Sequence, residues 1–487
     1  MSNNNDGRNY DIPEILKEKE IPKKKSKKNI FIGIIAVAFS LLVFASILIN
    51  IFNKVEIAGE TYKTNSNSIY IRDYEFKAED IEAIKKLTGA TYIQFTNCTL
   101  PEEDLSWIPE SVNEIKLSNC NLNNKHIASI NFESTGLSAI NLDSNENIAD
   151  LSALKVLGES LTSLSFNYCS VSDISFVSEM KNLASLYFDA NKVEDISALS
   201  ACTKLQIVSF RSNNVKNIDS LMHCSNLSEV LISANQITKL DGLQNATKLK
   251  IINADDNNLT DISGLKNAEK LDTVSIKNNR GGASLDISCL EKSAEKITEL
   301  AFDGTLISDL SPIGKMTKLN TISINNNSNI KSLEFLKNCT AVELISASNT
   351  GLESLVGIEN MNVLYELDVS NCKLTAVDLS SILSDNPIYL DLSNNNISSL
   401  KLPELTKVRA LEIYGNPLTD FDISQVKGVK IVMDYYDGFD YSSLVGAFSV
   451  CCVIDCPEDK QAEITGLYGS FTVMSEEEYK ASGNETE

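Results

Sequence analysis

The chain has 487 residues, 43% of them hydrophobic, with 66 acidic against 43 basic side chains and a net charge of −23. That acidic surplus argues against a nucleic-acid or polyanion partner. The only histidines are His126 and His223. No nucleophile–base pair or metal-ligand spacing accompanies them, so neither an enzyme nor a cofactor is expected, and no histidine-based metal site.

Residues 1–29 lack a sustained apolar pattern and are expected to form a disordered cytoplasmic tail. Residues 30–52 are an uncharged, mostly apolar run of 23 residues. As a helix it would measure about 34 Å, enough to cross a bilayer core. Lys23, Lys24, Lys25, Lys27 and Lys28 precede it, and only Lys54 follows closely. The positive-inside rule then places the tail in the cytoplasm and the remainder outside, on a single-pass signal anchor of the cell membrane. No A-x-A site follows the run, which argues against cleavage. Nine of the 43 basic and five of the 66 acidic residues lie in 1–54, which leaves a net of −27 beyond them. Residues 53–67 read as a juxtamembrane connector or cap.

From residue 68 a pattern recurs. Leu186-Tyr-Phe188-Asp-Ala-Asn191-Lys-Val193 is followed by Val208-Ser-Phe210-Arg-Ser-Asn213-Asn-Val215, then by Val230-Leu-Ile232-Ser-Ala-Asn235-Gln-Ile237. The fixed period predicts a solenoid in which each repeat buries its apolar face only against its neighbours. Apolar residues alternating with polar ones before each Asn predict a short strand. The Asn itself, here called the slot, turns the chain inward and satisfies backbone groups of the turn. The slots are Tyr74, Cys98, Cys120, Asn145, Cys169, Asn191, Asn213, Asn235, Asn257, Asn279, Thr305, Asn327, Thr350, Cys372, Asn395 and Asn416. They imply 16 parallel strands, spanning about 70 Å at the usual strand spacing.

With Ile307-Ser-Asp309-Leu310-Ser-Pro312-Ile313, residues 68–428 resemble the 22-residue bacterial leucine-rich repeats typified by internalins, surface proteins that bind host receptors. The resemblance implies an α/β solenoid, a horseshoe or arc with a parallel concave β-sheet, and a role in protein recognition. The sequence departs from that class in its N-terminal apolar segment, in lacking an L-P-x-T-G motif, and in its Cys and Thr slots. Host invasion is therefore not implied.

Slot positions Cys98, Cys120, Cys169 and Cys372, and return-leg positions Cys202, Cys224 and Cys339, read as buried thiols rather than disulfides. Cys451, Cys452 and Cys456 match no zinc spacing and read as core thiols or one local disulfide. Residues 429–475 are expected to form a small α/β cap, with strands near 429–433, 448–454 and 471–473 and a helix near 458–467. An acidic tail is expected from 476.

Residues flanking the strand leucines point out of the concave face. Most are small and polar. Asp368, Asp391 and Glu412 share one offset on three consecutive strands, with Glu366, Tyr389 and Tyr414 beside them. Like charges in that arrangement repel, so the row is a candidate site for a cationic group, either a basic side chain or a divalent metal. Tyr187 and Asp189 are further candidates on the same face. The expected function is recognition of, or adhesion to, a protein with a basic surface. The alternative is a cell-envelope scaffold that organises surface proteins or wall polymer without an external ligand.

Overall fold

The computed structural model describes Val43 and residues 53–482, apart from 102–103, 134–135, 280, 283, 308, 383–386, 403–406, 425 and 468–469. The expected tail at 1–29 and nearly all of the apolar run at 30–52 lie outside the described residues. Among the described residues, no helix is long and apolar enough to cross a membrane.

A single parallel sheet dominates. It starts at Ser68–Arg72 and adds one strand per repeat through Tyr92–Thr96, Ser185–Tyr187 and Glu366–Asp368 to Ser470–Met474. It has 19 strands in sequence order. Among the described residues no pairing joins Ser470–Met474 back to Ser68–Arg72, so the sheet is an open ladder. Sixteen strands belong to the slots listed above. The other three, Lys427–Asp434, Phe448–Ile454 and Ser470–Met474, are those expected in a cap, and they continue the same ladder in parallel register. The helix Glu458–Thr465 connects the last two.

The slot side chains explain why repeats stack. Asn213 donates through Nδ2 to the carbonyls of Phe188 (3.0 Å) and Phe210 (3.1 Å), and its Oδ1 accepts from Val193 N–H at 2.9 Å. Phe188 and Val193 belong to the previous repeat, so each Asn ties two repeats together. Asn191, Asn235 and Asn257 repeat the pattern. Cys120 Sγ donates to Phe95 O and Cys372 Sγ to Ala347 O, 25 residues back, as Asn213 does to Phe188. Cys and Thr therefore keep one part of the Asn function. All 11 cysteines are free thiols, and all but Cys289 are buried. Next to the slots, Phe166, Phe188 and Phe210 stack at 5.6 and 5.4 Å and fill the core, each pair adding about 1 kcal/mol beyond burial.

The residue before each slot is left-handed. Tyr168, Ala190, Ser212, Ala234 and Asp256 have φ of 53–54°. That conformation aims their N–H groups at the next repeat, as in Ala190 N to Arg211 O at 2.8 Å. It costs an L-residue about 1–2 kcal/mol, part of which glycine recovers. Ala190→Gly should therefore raise the unfolding free energy by up to about 1 kcal/mol in urea titration. A destabilised variant would contradict the account.

The return legs are short 3₁₀ turns, such as Ser197–Ala201 and Ser263–Asn267. An Asp two residues ahead accepts the first N–H of each: Asp195 from Ser197, Asp261 from Ser263, Asp309 from Ser311. This bond holds the Asp261 and Asp309 carboxyls below the usual range. Where these turns pack closest, glycine is required. A Cβ on Gly242 would lie 1.9 Å from the Ile218 carbonyl oxygen, whereas on Gly314 the nearest atom is 3.2 Å away. Gly242→Ala should destabilise by about 2–3 kcal/mol through forced backbone separation. Gly314→Ala should cost clearly less in the same denaturation assay. Towards the C-terminus the turns give way to a second parallel sheet, Ala376–Asp378, Ser399–Lys401 and Asp420–Phe421.

At the N-terminal end, the hairpin Lys54–Ile57 and Glu60–Lys63 buries Ile57, and the Asp80 carboxylate accepts Ala58 N–H at 2.9 Å. At the other end, the tail expected from 476 is a helix, Glu476–Ala481, folded onto the concave face. Its N-terminus is a capping box in which Ser475 and Glu478 bond each other's backbone N–H.

Candidate functional site

Concave side chains fall into rows because the strands share register. In the row four residues before the slot, most positions hold small or neutral side chains, including Ser165, Ser209, Ser275 and Ser323. Asp368, Asp391 and Glu412 occupy that row on three neighbouring strands, paired Asp368 to Asp391 and Asp391 to Glu412. Glu366 pairs with Tyr389 in the adjacent row. The structure thus brings five of the candidates together, with Tyr414 beside Glu412. Tyr187 and Asp189 lie many strands away.

Asp189 belongs to a different device. Its Oδ1 accepts the Ser209 hydroxyl at 2.6 Å and the Arg211 N–H at 2.7 Å, clamping its repeat to the next. Asp143, Asp255 and Asp303 do the same with Ser165, Ser275 and Ser323. Asp189 is therefore better explained by repeat stacking than by a ligand. Tyr187 lines a groove of about 370 Å³ with Asn141, Asp143, Ser163 and Asn167.

In the acidic row the clamp is turned inward. Asp368 accepts from the hydroxyl and N–H of Ser370, two residues on in its own repeat, and Asp391 does the same with Ser393. Burial, and then the nearby Asp368 charge, push the Asp391 carboxyl up to about 7. Burial and Asp368 also raise Glu366. Among the described residues the buried Tyr389 hydroxyl has no hydrogen-bond partner, and burial and the surrounding carboxylates make it harder to ionise.

Glu412 corrects the expectation of an open acidic row. It is 1% exposed. Lys430 pairs with it at 3.0 Å, and the Tyr479 hydroxyl donates to its two oxygens at 3.0 and 3.1 Å. Tyr479 also lies edge-on to Tyr414 at 5.5 Å, with the Lys430 ammonium 5.0 Å from its ring centre. Tyr414 is accordingly buried rather than open to ligand. A second apolar cluster, separate from the main core, forms here from Tyr414, Val432, Cys452, Ile454 and Tyr479. One cationic group recognised by the row is thus the chain's own Lys430. Among the described residues, no group of three or more His, Cys, Asp or Glu is placed to hold a metal ion.

Lys430 and Tyr479 were not singled out from the sequence. Lys430 alternates with the core residue Ile431 in an apolar strand, so a basic residue on the concave side is detectable there. The Ser-Glu-Glu-Glu run from Ser475 to Glu478 fits the capping-box pattern and signals a helix in place of a tail. At the opposite end of the concave face, the tilted rings of Tyr70 and Tyr92 lie 5.2 Å apart, and Lys116 lies over the Tyr92 ring.

No family model matches the chain. Over 107 residues, 21% of its length, it is 30% identical to acidic leucine-rich nuclear phosphoprotein 32 family member A of Drosophila pseudoobscura pseudoobscura, and equally to that of Drosophila melanogaster. The match spans 41% of those proteins' length. Among solved structures, it is similar to an internalin (inlF) of Listeria monocytogenes, with 19% identity, TM-score 0.55 and coverage of 63% of this chain and 88% of that one. A leucine-rich repeat protein of Leptospira interrogans gives 17%, 0.58, 73% and 89%. The plant peptide hormone receptor RGFR1 in complex with RGF2 gives 14%, 0.51, 84% and 73%. The chain has the leucine-rich repeat solenoid fold.

Proposed function

We propose that this chain is a membrane-anchored leucine-rich repeat protein that recognises or adheres to a protein partner outside the cell. The observation that carries the recognition reading is the unbroken concave sheet, which displays side chains in aligned rows along 19 strands. A plant peptide hormone receptor of similar fold is seen in complex with RGF2. Asp391, Asp368 and Glu366 cluster on that face, and the chain beyond residue 54 is strongly acidic, so the partner is expected to present a basic surface. Anchoring rests on the uncharged run at 30–52 and on the five lysines before it.

Capture with a soluble fragment from Val55 tests recognition. A protein from outside the cell, bound in a salt-sensitive manner and less well by the Asp391→Asn variant, supports the reading. Capture of the cell's own envelope components alone favours the scaffold. Topology is tested separately, by protease treatment of intact cells. Digestion of the repeats is expected, and their full protection would refute the orientation.

A further inference from the structure

We infer that the terminal helix Glu476–Ala481 is a displaceable strap, and that the cavity under Tyr479 is an anchor pocket of the recognition face for a partner's phenolic side chain. The strap is held lightly. Of its helical residues Tyr479 alone is buried, at 1% exposure, while Glu477, Glu478, Lys480 and Ala481 are exposed. A helix of six residues has little stability of its own. Tyr479 is therefore its one buried anchor among the described residues, and such elements open locally without global unfolding.

What lies beneath is a site rather than ordinary core. Val432, Cys452 and Ile454 form an apolar floor on the concave side of the sheet, and Tyr414 supplies an aromatic edge. Buried Glu412 and half-buried Lys430 form an acceptor and donor pair that meets the hydroxyl of the occupant. A ring of tyrosine size with a hydroxyl at its far end satisfies all of these groups together, and the present occupant shows that geometry. An aliphatic side chain would leave Glu412 and Lys430 without their third partner. The pocket also opens onto the row that continues through Asp391 and Asp368. A partner tyrosine flanked by a basic residue would therefore fill the pocket and meet the row. The chain's own Tyr479 competes for that place from a one-residue tether, Ser475, which keeps its local concentration high.

The pocket rests on the recognition reading, but its test needs no natural partner, so the two can fail separately. Full-length wild type and Tyr479→Ala are exposed to iodoacetamide, and each cysteine is followed by peptide mass spectrometry. Cys452 reports on the pocket floor, and Cys202, fully buried in the main core, reports on global unfolding. In Tyr479→Ala, Cys452 should label about tenfold faster or more while Cys202 stays silent. A millimolar acetylated peptide of sequence SEEEYKAS should restore protection, and SEEEAKAS should not. Unchanged Cys452 labelling overturns the strap. Faster labelling that the tyrosine peptide leaves untouched overturns the phenol pocket. If both cysteines label, Tyr479→Phe decides, because it keeps the ring and loses the hydroxyl. Faster Cys452 labelling with Cys202 silent then supports the proposal, and any other pattern overturns it.

Discussion

Asn213→Ala should lower the unfolding free energy by on the order of 3–5 kcal/mol, read from urea unfolding monitored by circular dichroism. The side chain is 7% exposed. It supplies Nδ2 to the carbonyls of Phe188, Phe210 and Arg211, and accepts Val193 N–H. Alanine orphans the Val193 donor in a dry interior, at about 1–3 kcal/mol, and the Phe188 and Phe210 carbonyls each lose one of two donors, keeping Asn191 and Asn235, at about 1 kcal/mol each. The Cys slots supply an internal control. Cys372 donates to Ala347 O at 3.3 Å, the bond equivalent to Asn213 with Phe188. Asn213→Cys should therefore fall between wild type and alanine. A loss below about 1 kcal/mol for the alanine variant would show that the ladder is not what binds the repeats.

The second large effect lies in the acidic row. Burial and Asp368 hold the Asp391 carboxyl at about 7 in the folded chain, against about 3.9 when unfolded. The native state therefore binds the proton more tightly. The stabilisation from protonated Asp391 is complete below about pH 4 and is lost as pH rises through about 7. At 1.36 kcal/mol per unit the span is at most about 4 kcal/mol. Asp391→Asn keeps an oxygen for the Ser393 hydroxyl and N–H. It should flatten the stability profile between pH 4 and 7 and leave the variant more stable than wild type at pH 8. Parallel profiles for the two proteins would contradict the assignment.

Much of this was legible in the sequence because the repeat converts position into geometry. Once Cys372, Asn395 and Asn416 were taken as slots, the offset alone put Asp368, Asp391 and Glu412 in one row, and the strand register agrees. The burial of Glu412 was not legible, because it depends on Lys430, 18 residues on, and Tyr479, 67 residues on. Neither belongs to a regular repeat. The left-handed residues before the slots were also hidden. Ala190 and Tyr168 have no intrinsic leaning to that conformation, and the ladder imposes it. Asp189 misled for a related reason. An exposed-looking carboxylate on a concave face can be fully engaged with the following repeat.

The carboxylate clamps have a mechanical consequence. Asp143, Asp189, Asp255 and Asp303, with Asn325, fasten successive repeats across their concave edges up to Ser348. Asp368 and Asp391 instead bond Ser370 and Ser393 of their own repeats and face each other across the sheet. The turns up to Ser348 carry these extra ties, while the turns around Cys372 are joined by the slot bonds of Cys372 and Asn395 and by the strand ladder. Tension along the solenoid would therefore meet more cross-ties in its clamped turns than around Cys372.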